Sequence, residues 1–92
     1  MKHMHLIAYD ITRNKTRNKV AELLEQYGTR INLSVFECMI THRQKQEIVR
    51  QISELINPKT DSVRIYFICS ACYAKSIIIG RPDPPDQYMV FV

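Results

Sequence analysis

The chain has no stretch of apolar residues approaching the roughly 20 that a membrane span needs, and its N-terminus lacks a signal-peptide pattern. Both absences point to a cytoplasmic protein. It holds only three cysteines, Cys38, Cys69 and Cys72. An odd number in a short chain argues against a secreted disulfide framework. Cys69-Ser70-Ala71-Cys72 has zinc-ligand spacing, but a structural zinc site needs four ligands. His3, His5 and His42 supply no matching second pair, so reduced thiols near a strand end are the simpler reading. There is no internal repeat and no low-complexity tract. Acids are also missing where one would expect them to cluster: none lies within ten residues of Asp10 on either side.

What is present fits one small domain. The 92 residues are 46% hydrophobic, with a net charge of +4. That is enough apolar material for a core, and the charge mildly favours an anionic partner. A chain this short buries only roughly 60–65% of its unfolded surface, so its stability margin is small. The most informative feature is Tyr9-Asp10-Ile11. An apolar run ends abruptly in an acid, and the basic, Asn-rich stretch Thr12-Arg13-Asn14-Lys15-Thr16-Arg17-Asn18-Lys19 follows at once. A carboxylate at a strand end beside many cations suits a metal ion and a phosphate backbone. Further ligands must come from far along the chain or from a second copy of it.

Residues 6–11 read as a buried strand, extended backwards by the alternation of His3 and His5 with Met4 and Leu6. The two imidazoles share one face, expected to be a solvated edge. Val20, Leu23, Leu24 and Tyr27 recur at helical spacing, which places a helix over 14–27. Gly28 is its expected left-handed stop. Residues 30–40 return to a period of two. Ile31, Leu33 and Val35 share one face; Asn32, Ser34 and Phe36 share the other. The alternation fades past Phe36, which suggests a bulge or bend near Glu37. Thr41 is a plausible N-cap, with Gln44 at the capping-box position. Ile48, Val49, Ile52, Leu55 and Ile56 form the stripe of a second helix, which Asn57-Pro58 ends. Residues 62–69 form a strand, and 75–79 are a further strand candidate. Residues 80–87 hold three prolines and act as a linker. The apolar pentapeptide 88–92 closes the chain.

The order is β-α-β-β-α-β if residues 30–40 pair in two places or turn on themselves. Read literally, it is β-α-β-α-β-β. Either version gives an α+β two-layer sandwich, one antiparallel sheet with both helices on one face. The other face is left uncovered, and Phe36, Tyr66 and Ile68 pattern onto it. Such a face usually has a partner, a protein surface or stacked bases.

Six segments carry a resemblance: Tyr9-Asp10-Ile11, Asn14-Lys15-x-Arg17-x-Lys19, Tyr27-Gly28-x-Arg30, Ser34-Val35-Phe36-Glu37, Asp61-Ser62-Val63-Arg64-Ile65-Tyr66 and Cys69-x-x-Cys72. In order and over essentially the whole chain, they resemble the CRISPR-associated protein two family, the small core subunit of the spacer-acquisition complex. The resemblance implies a ferredoxin-like βαββαβ domain over residues 1–80. Residues 81–92 would form a Pro-rich linker and a C-terminal strand docking across a face-to-face homodimer. It implies that residues 30–40 are one long strand continuing toward the second helix. It also implies that Asp10 is the metal ligand and catalytic residue, holding Mg²⁺ or Mn²⁺ with its symmetry mate. Some members are described as metal-dependent nucleases on RNA or duplex DNA. In the adaptation complex, the dimer instead bridges integrase subunits and holds a DNA duplex. Two departures stand out. Asn32 occupies a position where Gln is common, and Arg13-Asn14 replaces an acid often found after the first strand. The second removes a candidate ligand and adds phosphate affinity.

Each residue also has a plainer role. Asp10 would cap the helix beginning near Arg13, or pair with an arginine. Arg13, Lys15, Arg17, Lys19 and Arg30 form either a phosphate-binding surface or a solvated helix face. The arginines are the better candidates, because a guanidinium holds two phosphate oxygens at once. Tyr9, Ser34 and Phe36 are supporting residues, with core or dimer packing as the main role of the two aromatics. Cys38 is a small buried residue rather than a nucleophile. Three function classes follow. One is an adaptation subunit that binds duplex DNA, with or without nuclease activity. The second is a stand-alone metal-dependent endoribonuclease acting on single-stranded RNA. The third, an RNA-recognition-type domain, lacks the basic-aromatic signature of that fold, and Glu37 puts an acid in its middle strand.

Overall fold

A computed structural model describes residues 1–80. The C-terminal segment assigned above to residues 81–92 lies outside the described residues. The elements run β1 (His3–Asp10), α1 (Asn14–Glu25), β2 (Gly28–Asn32), β3 (Val35–Ile40), α2 (His42–Leu55), β4 (Ser62–Ile68) and a short α3 (Ser70–Ala74). The sheet order is β2-β3-β1-β4, with every neighbour antiparallel. The connection left open by the sequence is therefore β-α-β-β-α-β.

Residues 30–40 are not one long strand. They divide into β2 and β3 at a turn over Leu33 and Ser34. The turn has no glycine or proline. The Asn32 side-chain Oδ1 accepts the Leu33 amide at 2.7 Å, which stabilises it locally. Tyr9 secures it from β1: its amide donates to the Ser34 carbonyl at 3.0 Å and its hydroxyl to the Leu33 carbonyl at 3.3 Å. The pairing irregularity lies between Arg30 and Asn32, not near Glu37. Strand β3 is regular to Ile40, with Phe36, Cys38 and Ile40 facing inward.

That parity corrects one face assignment. Phe36 is fully buried in the core and is not on the open face with Tyr66 and Ile68. The alternation in the sequence was real, but the inward set is the one containing Phe36, because it pairs with Ile7. The core joins Ile7, Tyr9 and Ile11 to Val20, Leu24, Phe36, Ile40, Ile48 and Ile52. Burying a side chain such as Phe36 is worth roughly 1.5–3 kcal/mol. His5 lies on the same face of β1, so it is 2% exposed rather than on a solvated edge. Its ring and that of His3 pack on Phe67, at 5.4 and 5.0 Å between centroids.

Helix α2 begins as its sequence requires. The Gln44 amide donates to Thr41 Oγ1 at 3.1 Å, and the Thr41 amide donates to Gln44 Oε1 at 2.9 Å. Helix α1 has no such cap. Arg13 holds the N-cap position in an extended conformation, without a side-chain bond, so Asp10 does not cap it. Gly28 is not a left-handed stop either, since Gly80 is the only described residue with positive φ. Glycine is required at Gly28 for space: an added Cβ would overlap the Glu37 carbonyl and lie 2.6 Å from Cys38 Sγ. Residues 75–79 form no strand. Cys69 caps α3 instead, and Ile77, Ile78 and Ile79 are exposed. No helix among the described residues is long and apolar enough to cross a membrane.

Candidate functional site

Asp10 is the last residue of β1, opposite Ser62 of β4, and it is exposed. Successive strand residues alternate faces. Tyr9 and Ile11 point into the core, so Asp10 belongs to the sheet face that α1 and α2 leave open. Leu6, Ala8, Val35 and Met39 lie on that face half-buried, and Tyr66 is 47% exposed. The Tyr66 hydroxyl accepts a hydrogen bond from Arg64 Nη1 at 3.4 Å. Ile68 stands opposite Met4 at the far end of the same face, where the short α3 packs across β1. Met4 is accordingly only 4% exposed. Burial, and then the charge of Glu37, hold the Tyr73 hydroxyl of α3 above its usual pKa.

Among the described residues, no group donates to the Asp10 carboxylate, and no cluster of three or more metal-ligating side chains exists. One chain therefore offers a single hard oxygen ligand. Mg²⁺ keeps several waters and takes one or two carboxylates, so Asp10 would be a single ligand to such an ion.

The loop carrying Asp10 into α1 is held by Asp61, which the sequence marks only as the first residue of one resembling segment, without a role. Asp61 Oδ1 accepts the Thr12 amide at 3.1 Å, and its Oδ2 accepts the Asn57 amide at 3.0 Å. These bonds, that to Asn57 first, hold the Asp61 carboxyl below its usual pKa. Asp61 thereby ties the α2–β4 turn to the β1–α1 loop. The signal was an acid three residues after Pro58, in a turn whose amides need acceptors.

The five cations do not all line one cavity. Arg17 and Arg30 line a cavity of about 400 Å³ with Tyr9, Asn18, Leu33 and Ser34. One Arg17 nitrogen, Nη1, is committed to the Ile11 carbonyl at 3.0 Å. The Arg30 guanidinium sits 5.4 Å from the Phe36 ring centroid. Arg13 lines a different cavity of about 350 Å³ with Thr12, Thr16, Asn57, Thr60 and Asp61. Lys15 and Lys19 stand exposed, one turn apart on α1. Asp10 lines neither cavity. Tyr9 and Ser34 build the wall of the Arg17–Arg30 cavity, and Tyr9 packs its ring on Phe36 at 6.3 Å.

The family model described as CRISPR associated protein Cas2 matches residues 1–76. The chain belongs to the Cas2 family. A Methanospirillum hungatei protein named CRISPR-associated endoribonuclease Cas2 2 is 41% identical over 85 residues, 92% of this chain and 94% of that protein. A Rhodospirillum rubrum protein named CRISPR-associated endoribonuclease Cas2 4 is 41% identical over 76 residues. The match spans 61% of that relative's length, under two thirds of it. A chain of the partial Cas6-RT-Cas1--Cas2 complex has the same small α+β fold, with a TM-score of 0.72 at 32% identity. The match covers 91% of this Cas2 chain and 92% of that one.

Proposed function

We propose that this Cas2 chain is a ferredoxin-like domain that forms a face-to-face homodimer and serves as the DNA-binding subunit of a CRISPR adaptation complex, with metal-dependent phosphodiester cleavage at Asp10. The observation that carries the reading is an exposed carboxylate without a described partner, on an open apolar sheet face and followed immediately by a cationic helix. Pairing the two open faces would cover Leu6, Ala8, Met39 and Tyr66 and bring two copies of Asp10 into one assembly. A small core with such a face left bare invites aggregation, which a dimer avoids.

In this reading, Asp10 and its counterpart hold Mg²⁺ or Mn²⁺. The ion supplies Lewis-acid polarisation of a phosphate and an activated water. The chain's own residues bind and orient. Arg17 and Arg30 hold backbone phosphates beside Tyr9 and Ser34, and Lys15 and Lys19 add diffuse positive charge. Asp61 fixes the loop between acid and helix. The match to a chain of a Cas1–Cas2 assembly supports an integrase partner. The outer edge of β4 pairs with nothing among the described residues. Beside it lies an apolar groove of about 150 Å³, lined by Val49, Ile52, Ser53, Ile56, Val63 and Ile65. We propose that residues 88–92 of a second copy would dock on such a neighbouring sheet edge.

The word endoribonuclease in the relatives' names supports RNA as a substrate. The second reading is accordingly a stand-alone endoribonuclease acting on single-stranded RNA. One experiment separates the two. Wild-type and Asp10→Ala dimers are assayed with Mg²⁺ or Mn²⁺ on single-stranded RNA and duplex DNA, and for spacer integration with the integrase subunit. Integration that survives Asp10→Ala supports the DNA-binding subunit. Metal-dependent cleavage that survives in the pure mutant removes Asp10 from catalysis. RNA cleavage without DNA binding or integration selects the second reading.

A further inference from the structure

Two thiols lie where β4 gives way to α3. Cys69 and Cys72 are both exposed, whereas Cys38 is fully buried between the sheet and the helices. Cys69 holds the capping position of α3 in an extended conformation, φ −66° and ψ 159°. Its sulfur is already turned over the first helical turn, where it accepts the Cys72 amide at 3.3 Å. The Tyr73 amide closes the turn onto the Cys69 carbonyl at 2.9 Å. Residues three apart on a helix carry their Cβ atoms about 5–6 Å apart. A disulfide asks for about 3.5–4.5 Å. Going from one range to the other asks Cys69, at the half-in capping position, to bring its Cβ inward by about 1–2 Å.

We propose that Cys69 and Cys72 are a dithiol redox site, closing to an intramolecular disulfide on reaction with a low-molecular-weight disulfide of the glutathione type. No third metal-ligating side chain joins them among the described residues, so two-electron thiol chemistry is the chemistry the pair supports. The two thiols are also held differently by their hydrogen bonding. The Cys72 amide, and then the Cys72 thiol, donate to the Cys69 sulfur and hold its thiol below the usual range. The same thiol–sulfur bond holds Cys72 up. The buried Cys38 is pushed up to about 12, chiefly by burial, and does not compete.

The order of steps follows. The Cys69 thiolate attacks one sulfur of the oxidant, forming a mixed disulfide and releasing one thiolate, which takes up a proton. Cys72 then loses its proton and attacks the Cys69 sulfur, expelling the second thiol. One oxidant disulfide is reduced to two thiols, and the protein's two thiols become one disulfide. The bond constrains the turn that carries α3 across the open sheet face, beside Glu37 of β3.

The test uses the full chain equilibrated across ratios of reduced to oxidised glutathione, quenched in acid, alkylated and mapped by peptide mass spectrometry. Cys69 and Cys72 should lose alkylation together at a single midpoint, with the chain remaining unlinked to its neighbour on a non-reducing gel. Cys72→Ser should trap glutathione on Cys69 several-fold faster than Cys69→Ser traps it on Cys72. Both residues are exposed, so serine at either position leaves the core intact. The proposal is overturned if the two cysteines stay fully alkylatable in oxidised glutathione alone, or if only chain-to-chain disulfides form. Equal trapping rates in the two variants would overturn the assigned order of attack.

Discussion

Replacing glycine with alanine outside a left-handed conformation usually stabilises a protein, by about 0.4–1 kcal/mol, because the unfolded chain loses freedom. Gly28→Ala should do the opposite. The φ of Gly28 is not positive, so the backbone tolerates a side chain. The space does not. An added Cβ would overlap the Glu37 carbonyl oxygen and lie 2.6 Å from Cys38 Sγ and 2.7 Å from Cys38 Cα. Two of those three atoms are backbone of the paired strand, so relief requires β2 to move off β3. Overpacking of this kind costs about 1–3 kcal/mol. Setting the entropic gain against it leaves a net loss of roughly 1–2 kcal/mol. For a domain of this size, each kcal/mol moves Tm by about 4–8 °C, so the variant should melt roughly 5–15 °C lower. Circular dichroism at one fixed protein concentration is the assay, since stability in an oligomer depends on concentration. A second variant apportions the cause. Adding Cys38→Ala removes the sulfur but not the backbone contacts, so it should not restore Gly28→Ala. A Gly28→Ala protein melting at or above the wild type would refute the close approach of β2 to β3.

Thr41→Ala should cost about 1 kcal/mol, read by urea melts, because it removes the cap on the Gln44 amide. The His5 imidazole is held below its usual pKa, first by burial, with Lys45, His3 and His42 adding repulsion. The folded state therefore binds fewer protons than the unfolded one around the ordinary histidine value of 6.5. The stability is present above that pH and drains as pH falls through it, and His5→Gln should flatten urea-melt stability between pH 7.5 and 5.5. Changing Arg17 and Arg30 to Ala should flatten log K against log salt for duplex DNA by about 0.9 for each phosphate no longer held. An unchanged slope would show that their shared cavity holds no phosphate. Deleting residues 88–92 should lower the melting temperature and weaken the dimer in light scattering, and an unaltered dimer would exclude docking of that segment.

Much of the fold was legible because its causes are local. Thr41 and Gln44 announce α2 with two side chains three residues apart, and the stripe through Val20, Leu23 and Leu24 fixes the buried face of α1. The failures share another origin. The turn at Leu33 and Ser34 depends on Tyr9, about twenty-five residues earlier, for two of its hydrogen bonds. The glycine at 28 answers to Cys38, on a different strand. Asp61 reaches Thr12, 49 residues away in sequence. Helix α3 is capped by a cysteine sulfur, a weak acceptor that capping rules do not rank beside serine or aspartate. The site shows the same division. Asp10 was legible as an isolated acid at a strand end. That its neighbouring cations split between two cavities was not, because Arg30 joins Arg17 only once β2 is laid beside β3.

That split bears on how binding and cleavage relate. Tyr9 and Asp10 are consecutive in β1 and therefore serve opposite faces of the sheet. Tyr9 walls the cavity of Arg17 and Arg30, while Asp10 lies on the open face that a second copy is proposed to cover. On the proposed reading, a phosphate held by these two arginines would lie in a cavity that Asp10 of the same chain does not line. On the proposed reading, charge removed at the cavity would act on DNA affinity and its salt dependence. Charge removed at Asp10 would act on the proposed metal and leave the cavity intact. The two groups should therefore fail independently in mutants, with DNA binding retained in Asp10→Ala and metal-dependent cleavage of saturating substrate retained in the double arginine variant. Loss of both activities in either variant would mean that one shared surface does both jobs.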